Sequence, residues 1–123
     1  MKVVIILIRV LLGLMFVVFG ANAFHPFMPM PPLKGAAAAF IGALSDTGYI
    51  KAIASFEVAG GALLLLGRFV PLGLTLLGPI FVNILLFHIF IDPSGLPVAL
   101  VVCAMALFLL WHHRSAFAGL VRP

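Results

Sequence analysis

Apolar residues run along this chain in four long blocks, separated by short polar or proline-rich punctuation. The blocks cover roughly residues 3–24, 49–67, 70–91 and 96–112. A helix needs about 20 residues to cross the hydrocarbon core of a bilayer, with about 17 as the short limit. The first and third blocks exceed that comfortably and the second meets it. The fourth is marginal, and its polar ends extend it by snorkelling. The pattern predicts an all-α integral membrane four-helix bundle. Its links are short enough to make residues 1–123 a single four-span domain.

The punctuation sets the topology. The longest connection, His25 to Gly48, opens as His25-Pro26-Phe27-Met28-Pro29-Met30-Pro31-Pro32, which cannot be helical because proline removes donors and blocks the turn. Ala36 to Leu44 then reads as a short helix, too short to span, ending at Ser45-Asp46-Thr47-Gly48. It is expected as an interfacial or re-entrant piece capping the bundle between spans one and two. Arg68-Phe69-Val70-Pro71 is a tight turn that forces spans two and three into a hairpin, and Asp92-Pro93-Ser94-Gly95 does the same on the other face.

Composition sharpens the class. Of the 123 residues, 65% are hydrophobic and 8% charged, with a mean hydropathy of +1.36. Soluble domains are about 45–50% apolar and about a quarter charged, so a water-soluble globule is excluded. Lys2, Arg68, Arg114 and Arg122 fall on one face, with Arg9 just inside the first span; Lys34 and Lys51, offset by Asp46 and Asp92, fall on the other. Cytoplasmic loops collect Lys and Arg, so both termini are predicted to be cytoplasmic. The net charge of +4 is therefore topological, and its cations are too scattered to track a nucleic-acid backbone. Lys2, the first apolar run and Ala21-Asn22-Ala23 imitate a cleavable signal peptide. Arg9 interrupts that imitation and the run is long enough to span, so an uncleaved first span is expected. Cys103 is the only cysteine, and a lone thiol within a span reads as packing.

Polar residues inside the spans carry the candidate chemistry. Glu57 shares a helix face with Gly60, Gly61 and Leu64, and Arg9 with Gly13, Phe16 and Gly20, so both charges sit on surfaces that another helix can approach closely. Counted from the inner boundary, Arg9 lies about 9 Å deep and Glu57 about 15 Å. An extended arginine spans that difference, and an Arg9–Glu57 pair is expected. It reads either as a clamp between spans one and two or as a carboxylate tuned to exchange protons with a ligand. Asn83 lies at a depth from which it is expected to hydrogen-bond Glu57 across the hairpin, or to act as interhelical glue. Pro79, one turn earlier, frees a carbonyl near Thr75 and is expected to kink the helix.

Four histidines invite a metal or haem reading that their spacing mostly refuses. His88 lies near the outer end of span three, whereas His112 and His113 lie at the inner end of span four beside Trp111, where with Arg114 they read as a surface anchor. His25 and His88 can meet at the outer surface near Met28 and Met30, a weak soft-ligand candidate for Cu(I). No C-x-x-C, P-loop or nucleophile elbow occurs, so no self-sufficient catalytic site is legible.

The segments Arg9-Val10-Leu11-Leu12-Gly13, Phe19-Gly20-Ala21-Asn22 and Gly48-Tyr49 through Glu57-Val58-Ala59-Gly60-Gly61-Ala62-Leu63-Leu64-Leu65 together resemble the DoxX family. Gly78-Pro79-Ile80-Phe81-Val82-Asn83-Ile84-Leu85-Leu86-Phe87-His88, with Met28-Pro29-Met30-Pro31-Pro32, resembles its small bacterial members. The resemblance covers nearly the whole chain and rests on order and spacing. It implies a four-helix protein of the bacterial plasma membrane, in a family mostly without assigned function. Some of its members are linked to quinone-dependent thiosulfate oxidation or to redox-stress complexes. Ala23 stands where relatives often place a lysine, which weakens any carried-over charged site at the outer mouth.

Two roles follow as expectations. In one the chain is a partner-dependent scaffold or accessory subunit of a membrane redox or stress-response complex, with Arg9, Glu57 and Asn83 locking the bundle. In the other it holds a quinone: Glu57 relays protons, Asn83 or His88 hydrogen-bonds a carbonyl, Phe16, Phe56 and Phe87 form walls, and Asn22 is a further ligand contact. No cofactor is evident beyond a bound quinone or lipid. The expected partners are membrane lipids and a protein subunit or second copy. A small-solute pathway is a distant third, because one polar helix face lines a pore poorly.

Overall fold

In hydrocarbon a backbone N–H or C=O has no water to turn to, so each apolar block satisfies its own polar groups by becoming a helix. The computed structural model describes residues 1–123 and contains no strand. Its helices are α1 (Lys2–Phe24), α2 (Gly35–Asp46), α3 (Tyr49–Leu66), α4 (Val70–Phe90) and α5 (Leu96–His112). A 3-10 turn over Pro93–Gly95 leads into α5, and a 3-10 stretch, Arg114–Val121, follows it. α1, α3, α4 and the segment Pro93–His112 are each long and apolar enough to cross a membrane. Only 19 of 123 residues are buried, and the exterior they leave is apolar over most of its area, as lipid requires and water forbids. The chain is a multi-pass helical membrane protein.

α1 runs from the terminal end of the bundle to the loop end, α3 returns, α4 rises and α5 comes back. Both termini therefore share one end. The α3–α4 reversal takes three residues. Gly67 closes α3 at φ 72° and Phe69 opens α4 at φ 54°. The left-handed conformation is free for glycine and costs a side-chain-bearing residue about 1–2 kcal/mol. Gly67 has a second reason to be glycine, since a Cβ there would overlap the Arg9 guanidinium.

The central contact is α1 against α3, backbone on backbone. A Cβ on Gly13 would lie 2.7 Å from the Gly61 carbonyl oxygen and 2.7 Å from the Leu65 amide nitrogen, and one on Gly61 would lie 2.8 Å from the Gly13 carbonyl oxygen. Gly20 faces Ala54 and Val58 at the loop end of the same seam, so the residue numbers fall on one helix as they rise on the other. Small residues two turns apart on each helix, Gly13 and Gly20 on α1 and Ala54 and Gly61 on α3, permit this approach, and dispersion then holds it, because lipid gives apolar helices no other reason to associate. α4 docks on the adjoining face of α3 in the same way, with Gly73 against Gly60.

Leu12 and Phe16 of α1, Leu64 of α3, Leu74, Leu77 and Phe81 of α4, and Val102, Cys103, Ala106 and Leu109 of α5 form the buried core. Phe16 meets Phe81 edge to face, with centroids 5.2 Å apart and an 83° interplanar angle. The expected capping helix is α2. It packs on α3, buries Ala37, and lays Phe40 against Phe87 of α4 with ring centroids 5.7 Å apart. The proline-rich stretch before it is held by Asn22, whose Oδ1 accepts the backbone N–H of Phe27 and of Met28, both at 2.9 Å.

Gly13→Ala is expected to lower unfolding stability in detergent by about 1–3 kcal/mol, the usual cost of overpacking. Gly42→Ala on α2, where a new Cβ meets nothing within 4 Å, is expected to be neutral or to stabilise by up to about 1 kcal/mol. Denaturant titration of the two variants, followed by circular dichroism, checks the contrast.

Candidate functional site

A cleft of about 690 Å³ opens between α2, α3 and α4. α3 contributes Tyr49, Ile53, Phe56 and Glu57 to it, and α4 contributes Thr75, Pro79, Asn83, Phe87 and His88 among others. α2 covers it with Phe40, Ile41 and Leu44. α3 and α4 approach tightly at Gly60 and Gly73, near the turn that joins them. Toward the loop end both helices carry large side chains, and α2 roofs the opening that results.

Glu57 stands half-buried near the middle of α3. The expected Arg9–Glu57 pair is not formed, and helix direction explains why. Side chains lean toward the N-terminus of their own helix. α1 begins at the terminal end, so Arg9 leans that way; α3 begins at the loop end, so Glu57 leans the other. The Arg9 guanidinium lies over Gly67, ten residues or about 15 Å of helix from Glu57. The Nε of Arg9 is buried without a hydrogen-bond partner.

The expected Glu57–Asn83 hydrogen bond is also replaced. Asn83 Nδ2 donates to the Pro79 carbonyl of its own helix at 2.8 Å. The α3–α4 register, read from Gly60 against Gly73 and Leu77, puts Glu57 roughly level with Leu76–Ile80, about one turn below Asn83. Both residues nevertheless line the same cleft. Pro79 lies inside an unbroken α4 and has no N–H to give, so the Thr75 carbonyl loses its helical donor. Thr75 Oγ1 donates to the Pro71 carbonyl at 2.8 Å. The polar lining of the cleft thus comprises a carboxyl group, a side-chain amide and Thr75, whose backbone carbonyl lacks its helical donor.

His88 lines the mouth of the cleft but is committed to the fold. Its Nδ1 lies 2.8 Å from the Ile84 carbonyl, which can only accept, so Nδ1 carries the proton and Nε2 of the neutral ring is an acceptor. The Nε2 edge abuts Gly95 in the α4–α5 turn. His88 is thus a cleft residue whose Nδ1 is already committed to its own helix. Phe56 and Phe87 line the cleft; Phe16 does not, because its face of α1, shared with Gly13 and Gly20, is pressed into the core. Asn22 is likewise no cleft residue, its oxygen being spent on the Phe27 and Met28 amides. His25, Met28 and Met30 lie on or beside that loop, His25 and Met30 exposed. No group of three or more His, Cys, Asp and Glu side chains is placed to hold a metal ion.

Phe40, Ile41 and Tyr49 were not anticipated as lining residues. The signal for Phe40 was present, as the one aromatic in the alanine-rich α2. At the terminal end, Arg114 lies over the Trp111 ring, 4.3 Å from its centroid, and donates to the Trp111 carbonyl at 2.9 Å. His113 there is held below the usual histidine range by burial first, and then by the charges of His112 and Arg9.

No protein-family model, curated protein or solved structure matches the chain.

Because Arg9 and Glu57 lean apart, a double-mutant cycle of Arg9→Gln and Glu57→Gln is expected to give a coupling energy within about 0.5 kcal/mol of zero. Stability measured on the two single variants and the double variant in one detergent decides it. Coupling above about 1 kcal/mol would restore the clamp.

Proposed function

We propose that this chain is a DoxX-like multi-pass protein of a bacterial plasma membrane, with cytoplasmic termini. In this reading it serves a membrane redox or stress-response complex as an accessory subunit, holding a quinone-like amphiphile in the α2/α3/α4 cleft. One observation carries the reading: Glu57 faces a cleft of about 690 Å³ and is bound by no cation of its own chain. A carboxylate at that depth is expensive unless something meets it. Here the something must come from outside the chain, as a proton or as a ligand.

The lining suits such a ligand. Small-molecule sites span about 300–1,000 Å³ and are mostly apolar with a few convergent polar groups, and ten of the fifteen lining residues here are hydrophobic. Phe56 and Phe87 offer flat walls for a ring. Glu57, the Asn83 Oδ1 and the Thr75 carbonyl accept hydrogen bonds, so hydroxyls match this wall better than carbonyls do. A quinone, when bound, supplies a carrier of two electrons and two protons. The chain's share is to bind and orient its hydroxyl-bearing form, to exclude water beneath α2, and to offer the Glu57 carboxyl oxygens as the place where a ligand proton is received. The electrons pass through a protein partner. A purely structural use of Arg9, Glu57 and Asn83 has less support, since Asn83 bonds within its own helix and Arg9 Nε bonds to nothing.

The test is the quinol content of protein purified in mild detergent, read by solvent extraction and by a reduced-minus-oxidised difference spectrum. Near-stoichiometric quinol is expected in the parent. Glu57→Gln is expected to weaken retention about tenfold or more, from the loss of a hydrogen bond to a charged group of about 1.5–3 kcal/mol. Phe56→Ala is expected to weaken it as well, whereas Phe16→Leu, in the core, leaves it unchanged. A featureless spectrum with no extractable quinone returns the chain to the scaffold role.

A further inference from the structure

Arg9 is a cation inside a span whose needs the fold leaves unmet. Its Nε is buried without a partner, and its guanidinium lies over Gly67 where α3 ends. The chain offers it no counter-charge. Of the three acids, Asp46 and Asp92 lie at the loop end, and Glu57 is about 15 Å away along α3.

Its neighbours add positive charge. Five of the seven Lys and Arg residues, Lys2, Arg9, Arg68, Arg114 and Arg122, lie at the terminal end, which carries no Asp or Glu. Arg68 follows Gly67 in the turn, and His113, the residue that caps α5, is held below the usual histidine range by burial first and then by the charges of His112 and Arg9. The 3-10 stretch beyond it packs Phe117 against the core. A half-buried cation among like charges is stable only with an anion present.

The shape of the donor names the anion. A guanidinium is a planar fork that matches the oxygens of a phosphate or carboxylate, and it is less strongly hydrated than an ammonium. The end of α3 lies at the level where lipid headgroups meet the hydrocarbon, with Phe69 and Trp111 both exposed beside it, as aromatic residues are at that boundary. Basic niches between spans take up acidic headgroups. We propose that Arg9, with Arg68 and His113 around the Gly67 turn, forms a binding site for a phosphate group, that of an anionic phospholipid. Gly67 is part of the site, because only a residue without Cβ lets the guanidinium reach the turn. The site is separate from the cleft and does not depend on what the cleft holds.

Native mass spectrometry of the full chain, with phosphatidylglycerol and phosphatidylcholine added in equal amounts, tests it. The parent is expected to retain phosphatidylglycerol at least tenfold better. Arg9→Gln is expected to abolish that preference, while Lys2→Gln and Arg122→Gln, at the two extremities, keep it. Equal retention of both lipids by the parent, or an undiminished preference in Arg9→Gln, overturns the proposal. Displacement of the lipid by millimolar inorganic phosphate would assign the same site to free phosphate, and resistance to it assigns the lipid. Should Arg9→Gln fail to fold, the parent alone suffices. In nanodiscs, replacing phosphatidylcholine by phosphatidylglycerol is expected to raise the titration midpoint of His113 by more than that of exposed His112. Equal movement of the two overturns the site.

Discussion

The backbone contact between α1 and α3 governs where everything else can be. Gly13 and Gly61 bring two main chains so close that neither position has room for a methyl group. That closeness leaves little freedom to slide, because a shift of one residue would drive Leu12 or Leu14 into the space now held by Gly13. The register is therefore set by sterics at the centre of the seam, and the charged residues on the two helices have to accept the levels it assigns them. Arg9 falls opposite the end of α3, and Glu57 opposite Gly20.

The consequence is two charges without mutual relief. An acid or base at the centre of a span costs about 2.5–3.5 kcal/mol on insertion scales, a large share of a total stability of about 5–15 kcal/mol. An ion pair would have removed much of that cost, and the sequence contains both partners. Helix polarity defeats it, since antiparallel neighbours lean their side chains in opposite directions. The fold instead sends Glu57 into a cleft and Arg9 toward the headgroup boundary, each facing material that the chain does not contain. A polar group left open in this way marks a place where something else binds more plainly than a satisfied one does.

What could be read in the sequence follows from which physics is local. Span ends were legible to within a residue or two, since Gly67 caps the end of α3 while Pro71 and Pro93 stand in the first turns of the helical segments they open: residues 70–91 were expected where α4 covers Val70–Phe90, and 96–112 matches α5 (Leu96–His112). The short helix and its capping role were legible, though the cleft it covers was not, because that depends on Phe40 meeting Phe87, 47 residues later. Glu57, Asn83, Phe56 and Phe87 share a cleft because helical periodicity put them on facing surfaces. The Arg9–Glu57 pair failed because depth was counted at the Cα atoms, and a side chain of several ångströms has a direction as well as a length. Asn22 lies outside the cleft, and His88 lines it with one ring nitrogen already committed, for a related reason. Each found a nearer partner, in the Phe27 and Met28 amides and in the Ile84 carbonyl, and local hydrogen bonds win when the alternative is a distant one.

The direction of α3 also sorts the chemistry of the two ends. Its C-terminus carries the partial negative charge of the helix dipole, worth about 0.3–1 kcal/mol to a cation placed there, and Arg9 lies over that end at Gly67. This offsets only part of the cost of an unmet charged donor, about 1–3 kcal/mol or more, so the terminal end keeps an appetite for anions. At mid-depth the balance is reversed. The Asn83 oxygen and the Thr75 carbonyl released by Pro79 accept hydrogen bonds, and the Glu57 carboxyl group accepts a proton or a hydrogen bond from whatever enters the cleft. A single tight glycine seam thus leaves an unpartnered cation at one end and an unpaired carboxyl group in a cleft. The separation between them is the roughly ten residues of α3 that run from Glu57 to Gly67.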